Sequence, residues 1–366
     1  MKPIAITGIG LVTPSGIDKR KFWSNLVHGR SVVKKIDRFD ASLYPSHIAG
    51  QVHELDAYSN VSSRLLKKID LFSHMGLVAS EMALQDAKLD LSQEDLKRAG
   101  IFMGNAIGGW LYAETELRDL YLEGREGVSP FMASAWFPAA PQGQISIHYG
   151  IKGYSKTIVS DRASSLMAIG YGAKNLLRGK NNFILAGGME APVTPYALLC
   201  CNTSGCLSSN NEEASTAYRP FDKSRDGFAI AEGAGILILE PPARVKSRGA
   251  HVYANIIGFG TTTDGVDRIE PASDGVELAR AIKWLWTMPD LNRRTLTIFV
   301  LMVRVDRRAT SVKRKRSNWF LTATQRRYLS VPRKQFSAIC SAPAVPLTSL
   351  RFYWRWSITW SRRRSI

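Results

Sequence analysis

Along the first 283 positions the apolar residues fall into short blocks that alternate between continuous runs and helical spacing. Ile4-Ala5-Ile6-Thr7 is a strand-like run, and residues 3–16 (PIAITGIGLVTPSG) carry it into a loop punctuated by glycine and proline. A helix fits Lys19 to Gly29. Between Lys68 and Leu89, the residues Leu71, Met75, Val78, Met82 and Leu89 recur close to the three-to-four spacing of a helix with one face in a core. A buried strand at Gly100–Met103 runs into Gly104-Asn105-Ala106-Ile107-Gly108-Gly109, where absent side chains allow close approach of backbone. Residues 156–162 read as a strand entering a turn, 163–178 as a helix with a small first turn, and Asn182–Ala186 and Gly235–Glu240 as further strands. Residues 208–217 read as a surface loop and Pro241–Gly249 as a break. This order predicts right-handed crossovers and a mixed sheet flanked by helices, an α/β fold. From Trp284 the periodicity degrades, and no element can be drawn between Asn292 and Ile366.

Composition marks the same boundary. The 366 residues carry 49 Lys+Arg against 31 Asp+Glu, a formal net charge of +18. Residues 284–366 hold 18 of the basic residues and two acids, Asp290 and Asp306, so that residues 1–283 are nearly neutral at 31 basic against 29 acidic. The same segment has six of the nine Trp and none of the 29 Gly. Two differently composed stretches are joined near residue 284, and the overall charge does not describe a uniformly basic protein.

At 45% hydrophobic content the chain can bury a large core, which excludes disordered and collagen-like classes. Cys200, Cys201, Cys206 and Cys340 have neither zinc-site spacing nor a disulfide framework, and read as free thiols of a reducing cytoplasm. No cationic segment followed by an apolar stretch opens the chain, and no apolar window approaches the ~18 residues of a membrane span. A cytoplasmic location without a membrane partner is the expectation.

Several segments, in order and at matching distances over residues 3–283, resemble the β-ketoacyl synthase family of the thiolase fold. TGIGLVTPSG (7–16) is similar to its opening strand and loop, and MGNAIGG (103–109) to its glycine turn. SPF (129–131), IKG (151–153) and LAGGMEA (185–191) flank the expected nucleophile segment. RPFDKSRDGFAIAEGAGILILE (219–240) is the strongest likeness, with Ala231 where a glycine is usual, and GFGTTTDG (258–265) resembles the family's next segment. The resemblance implies a layered αβαβα fold with duplicated halves, here with the second half incomplete or aberrant. It divides the chain into an N-terminal half at 1–257, the start of a C-terminal half at 258–283, and an aberrant Arg/Trp-rich tail at 284–366. It implies no cofactor and no metal. Acyl carrier protein is an implied partner, as is a second subunit, either a ketosynthase in a heterodimer or a second copy, with residues 129–150 contributing to the contact.

The family condenses acyl units: a cysteine at a helix N-terminus takes an acyl group, and two histidines support decarboxylation of a malonyl unit. Aligning the family's A-C-S-S-S-L-x-A-I on Asp161-Arg162-Ala163-Ser164-Ser165-Leu166-Met167-Ala168-Ile169 puts Arg162 at the cysteine. A guanidinium stays protonated and offers no nucleophilic lone pair. Ser164 or Ser165 is out of register and lacks an identified histidine base. The six histidines, His28, His47, His53, His74, His148 and His251, all precede the segment that supplies the family's catalytic pair. The family's His-Gly-Thr loop, its Lys and Gly-His segment and its late glycine loop are also missing. Asp306-Arg307-Arg308-Ala309-Thr310 is faintly similar to a sequence of non-catalytic relatives. No intact catalytic set is therefore expected. Asp161, Ala163, Ser164, Gly108, Gly109, Phe228, Glu232, Gly233, Phe259 and Gly260 are the residues expected to line or support the site. A cation at a helix N-terminus opposes the macrodipole, so Arg162 calls for a carboxylate: Asp161, or Asp267 or Glu232 if the fold brings them close.

Three readings stay open. Cysteine-less homologues of polyketide systems, the chain-length factors, pair with an active ketosynthase and shape its cavity, though glutamine is their commoner replacement. Alternatively, a frame change near residues 283–290 has left a degenerate former synthase without activity. The third reading takes the Arg and Lys clusters interleaved with Trp319, Trp354, Trp356 and Trp360 as a nucleic-acid-binding tail. Such composition also arises when GC-rich codons are read out of frame, which makes nucleic acid the least expected partner.

Overall fold

The computed structural model describes residues 2–286 apart from Phe221, 267–271 and 273, with no side-chain description at Leu285 and Trp286. Asp267, Cys340, Asp306-Thr310 and nearly the whole aberrant tail lie outside the described residues. Strand β1 (Ile4–Val12) leads through α1 (Lys19–Val27) to the short strands β2 (Lys34–Lys35) and β3 (Ile48–Gly50). Helices α2 (Ser63–Leu66) and α3 (Leu71–Asp86) precede β4 (Ala99–Gly104), which is followed by α4 (Trp110–Glu123), α5 (Met132–Trp136) and α6 (Ala140–Tyr149). Then come β5 (Lys156–Ile158), α7 (Ser164–Leu177), β6 (Phe183–Glu190), α8 (Pro195–Thr203) and α9 (Ala214–Ala217). The order closes with β7 (Ile230–Ala231), β8 (Gly233–Glu240), α10 (Pro242–Arg248), β9 (Ala254–Ile256) and α11 (Val276–Trp286).

Six strands form the main sheet in the order β5-β4-β6-β8-β1-β9. β5, β4 and β6 run parallel, whereas β8 is antiparallel to both β6 and β1. The mixed α/β sheet read from the sequence is therefore present. One face carries α3 and α6 over a core that includes Phe72, Met75, Ile101 and Phe183; the other carries α7 over Phe102, Ile184 and Leu239. Each of these large side chains contributes roughly 1.5–3 kcal/mol by leaving water. The outward side of α7 leaves Leu166, Tyr171 and Leu177 exposed. A smaller sheet, β2-β3-β7, packs with α8 around a separate cluster that includes Val193, Leu198 and Phe228, and no sequence signal indicates it.

Four elements depart from the sequence reading. β1 does not stop at Thr7 but continues through Gly8 and Gly10, because α3 crosses so closely that a methyl on Gly8 would overlap the Ala83 carbonyl and one on Gly10 the Ala79 carbonyl. β6 likewise runs on through Gly187-Gly188 to Glu190. The break read at Pro241–Gly249 is corrected to a helix: Pro242 occupies the first turn, where its missing N–H costs nothing, and Gly249 ends α10 in the left-handed region at φ 60°. The loop at 208–217 holds the one-turn α9.

Candidate functional site

The C-terminal ends of β4 and β6 and the N-terminus of α7 meet at a point where only glycine fits. A methyl on Gly104 would overlap the Ser164 backbone, and one on Gly188 would overlap the Ser165 hydroxyl and the Gly104 carbonyl. Between β5 and α7 the chain makes a tight turn in which Asp161 adopts a left-handed φ of 49°, a conformation Asp tolerates better than most residues. Ser160 and Arg162 form an isolated bridge across it. The Ser164 hydroxyl ties the turn to the helix, accepting from the Ser160 N–H at 2.8 Å and donating to the Asp161 carbonyl. Ala163 is the cap residue of α7 and has no side-chain bond to offer its first amides.

Arg162 sits at this N-terminus with its side chain 9% exposed, its Nε 3.2 Å from Asp161 Oδ2. Asp161 thus supplies the counter-charge that a cation at the positive end of a helix dipole requires. Burial still outweighs the neighbouring guanidinium and pushes the Asp161 carboxyl up to about 6. Glu232, the other described carboxylate considered for Arg162, is committed elsewhere. It is bound by both Nη atoms of Arg38, with Nη2–Oε2 at 2.9 Å, and accepts from the Val52 N–H at 3.0 Å. The expectation that Glu232 serves Arg162 is corrected accordingly. Asp267 falls outside the described residues.

Neither serine has the surroundings of a nucleophile. Ser164 is enclosed and spends its hydroxyl on the turn, and Ser165 donates to the Gly104 carbonyl at 3.4 Å. Every histidine ring is engaged elsewhere: His74 with the Ser59 hydroxyl at 2.7 Å, His28 with the Ser24 carbonyl, His47 with the Tyr44 carbonyl, and His53 with Asp37 at 3.7 Å. His148 and His251 stack edge-on against Tyr149 and Tyr253. Among the described residues Cys200, Cys201 and Cys206 are free thiols, in and just after α8.

The remaining candidates divide into three groups. Phe259 lies over the middle of α7, 5.8 Å from the Tyr171 ring, where a methyl on Gly170 would come within 2.6 Å of it. Gly260 faces the Ala281 carbonyl of α11. Phe228 is buried in the small-sheet cluster, and Glu232 with Gly233 joins β7 to β8. Gly108 and Gly109 close the turn after β4: Gly108 takes φ 83°, and the Gly109 N–H donates to the Trp136 carbonyl at 2.9 Å.

Two buried acids around that turn and one half-buried arginine were not singled out by sequence reasoning. Glu190 accepts from the Ala106 and Ile107 N–H groups, Asp70 accepts from Phe72 and Tyr112, and Arg38 holds Glu232. The available signals were an acid closing the Gly-Gly strand and an Asp immediately before the α3 apolar pattern, a position that favours N-caps. Among the described residues no His/Cys/Asp/Glu group could hold a metal ion, and no helix is long and apolar enough to cross a membrane.

With this geometry in place, the family model described as "Beta-ketoacyl synthase, N-terminal domain" matches residues 1–244. A 3-oxoacyl-[acyl-carrier-protein] synthase 2 of Staphylococcus aureus is 35% identical over 282 residues, covering 77% of this chain and 68% of that protein. The synthase of the same description from Vibrio cholerae is 34% identical over 272 residues, 74% of this chain and 66% of that protein. Among solved structures, a β-ketoacyl synthase from Burkholderia phymatum is similar with a TM-score of 0.70 and 29% identity, covering 77% of this chain and 69% of that one. The ishigamide ketosynthase/chain length factor is similar with a TM-score of 0.70 and 25% identity, covering 78% and 70%. A type II polyketide ketosynthase solved in complex with its acyl carrier protein and bound to the hexaketide gives 0.58 and 31%, covering 71% and 68%.

Proposed function

The chain belongs to the β-ketoacyl synthase family, with the thiolase-like fold of fatty acid and polyketide biosynthesis, and within it we propose a non-condensing subunit that partners an active synthase. The observation that carries this reading is Arg162. A permanently charged guanidinium, largely buried and paired with Asp161, sits in the turn immediately before the cap of α7, the place where the resemblance puts the acyl-accepting cysteine. A guanidinium cannot form a thioester, and no histidine stands ready to activate Ser164 or Ser165. What such a subunit would contribute in this role is a wall, built from α7 and the glycine turn, to the cavity of its partner. The partner is then an active ketosynthase, and the substrate carrier an acyl carrier protein. The likeness to a ketosynthase/chain length factor supports this role. The exposed Trp136, Phe137 and Ile147, within the 129–150 stretch, are available for the subunit contact.

The test is co-expression with a ketosynthase encoded beside this chain, followed by tag purification. A stoichiometric pair whose condensation products lengthen or shift when this chain is present supports the reading. An active ketosynthase that neither binds nor changes its products refutes it. Arg162→Cys with radiolabelled acyl carrier protein tests the site itself: unchanged absence of label means that more than the nucleophile is missing.

A second reading is favoured by the Gly-free, +16 composition of residues 284–366. In it the chain is a synthase whose last 83 residues have changed reading frame, with a family body at 1–257 and 258–283 and a foreign tail beyond. Resequencing the DNA decides this. An alternative frame downstream of Lys283 that restores glycine loops and balanced charge supports it, and its absence in both other frames rejects it.

A further inference from the structure

Three carboxylates are enclosed around the glycine turn: Asp70, Glu190 and Glu232 are 2%, 1% and 0% exposed. Among the described residues the guanidinium that faces them is that of Arg38, and both its Nη atoms donate to Glu232. Asp70 and Glu190 therefore lie in the interior with backbone amides as their hydrogen-bonding partners. Glu190, at the end of β6, accepts with Oε1 from Ala106 and from Ile107 at 3.1 Å, while its Oε2 has no partner. Asp70 joins two helix starts, accepting from Phe72 of α3 at 3.0 Å and from Tyr112 of α4 at 2.7 Å. The approach is close enough that a methyl on Gly109 would lie 2.8 Å from Asp70 Cβ. The turn between β4 and α4 is thus gripped from both sides by acids.

We propose that Glu190 and Asp70 are a proton-operated clamp on residues 105–112: the turn is fixed while the pair holds protons and is released when both carboxylates become charged.

Two anions in an apolar interior repel each other and lack the hydration that each would have in water. Desolvation pushes Glu190 up to about 8 and Asp70 up to about 7 against the opposing pull of the backbone N–H groups around each; the Asp70 charge raises Glu190 further, and the Glu232 charge raises Asp70. The other charged groups nearby do not replace them. Arg38 favours the charged form of Asp70 but is held by Glu232, and burial keeps His74, one turn along α3, below its ordinary value. Glu114 of α4 turns away toward the Thr194 hydroxyl and the Tyr196 N–H. Because Gly104 abuts the Ser164 backbone, loosening the turn would move a wall of the α7 site.

Hydrogen exchange of the full-length chain between pH 5.5 and 9, corrected for intrinsic exchange and referenced to β6, reads the clamp directly. Protection of amides 105–112 is expected to fall by about tenfold per pH unit for each carboxyl that is still protonated in the closed state and ionised in the open one, and to level off once the pH passes both midpoints. Glu190→Gln, which keeps the acceptor but cannot ionise, should flatten the part of that fall due to Glu190, and His74→Gln should leave it intact. Infrared spectra of the unmodified chain should show a protonated carboxyl C=O band at pH 6 that vanishes over the same range; this holds even if a variant fails to fold. Protection independent of pH, a fall unchanged in Glu190→Gln, a fall abolished by His74→Gln, or no protonated carboxyl at pH 6 would each overturn the proposal.

Discussion

Replacing Glu232 by alanine strips Arg38 of the carboxylate that neutralises it. The Glu232 carboxylate is fully enclosed, and the Arg38 side chain is 24% exposed, so water recovers only part of the lost interaction. Breaking a buried pair by removing one member costs about 3–5 kcal/mol, because the remaining charge stays in the interior. The Val52 N–H, which donates to the same carboxylate at 3.0 Å, is orphaned as well, a further cost of about 1–3 kcal/mol that overlaps with the first. The net expectation is a loss of about 4 kcal/mol, a large share of the roughly 5–15 kcal/mol by which domains are stable. Urea denaturation followed by tryptophan fluorescence measures it. Arg38→Met combined with Glu232→Ala removes the isolated charge, and the pair should couple by about 2–3 kcal/mol in a double-mutant cycle. A Glu232→Ala loss below about 1 kcal/mol, or a double variant whose loss equals the sum of the singles, would refute the view that this pair fastens the β2–β3 loop to the β7–β8 junction.

Gly10→Ala should cost about 3 kcal/mol or more, since its methyl would overlap the Ala79 carbonyl of a rigid helix; a thermal midpoint unchanged within error would contradict the close β1–α3 packing. Ser164→Ala removes the acceptor of the Ser160 N–H and should destabilise by about 1–2 kcal/mol without changing reactivity toward an acyl thioester, measured by denaturation and by labelling. Asp161 has a folded-state carboxyl raised from 3.8 to about 6, so the native state binds the extra proton between those values. Its contribution to stability is fully present below about pH 4 and is lost as the pH rises through 6; Asp161→Asn should flatten that part of the stability profile, which ends a unit or more below the folded-state midpoints of Asp70 and Glu190.

The alternation of strands and helices was legible because the main sheet is buried on both faces, which writes continuous apolar runs at β4, β6 and β8. Its strand ends were not, because glycine usually signals a turn. At Gly8, Gly10, Gly187 and Gly188 it instead marks strands pressed against a helix or another backbone, a tertiary fact with no local trace. Pro242 and Gly249 suggest a break, although their order, proline first and glycine last, is that of a helix start and stop. The site was legible in part. Arg162 stood out against the family's cysteine, and its counter-ion Asp161 was its neighbour in sequence. Glu190, Asp70 and Arg38 were silent because their partners lie tens of residues or more away: Asp70 and Tyr112 are 42 positions apart, and Arg38 and Glu232 are 194 apart. Buried acids of this kind are recognised by what encloses them, and nothing local in the sequence records that.

The most direct test of the central claim, that this member of the family does not form an acyl-enzyme, is intact-protein mass spectrometry of the unmodified chain after incubation with acyl-loaded acyl carrier protein, with peptide mapping across 156–178. The account predicts an unchanged mass and unmodified peptides, while an active family synthase in the same reaction gains one acyl group. A stoichiometric acyl adduct on Ser164, Ser165 or any other residue of the α7 N-terminus would contradict it.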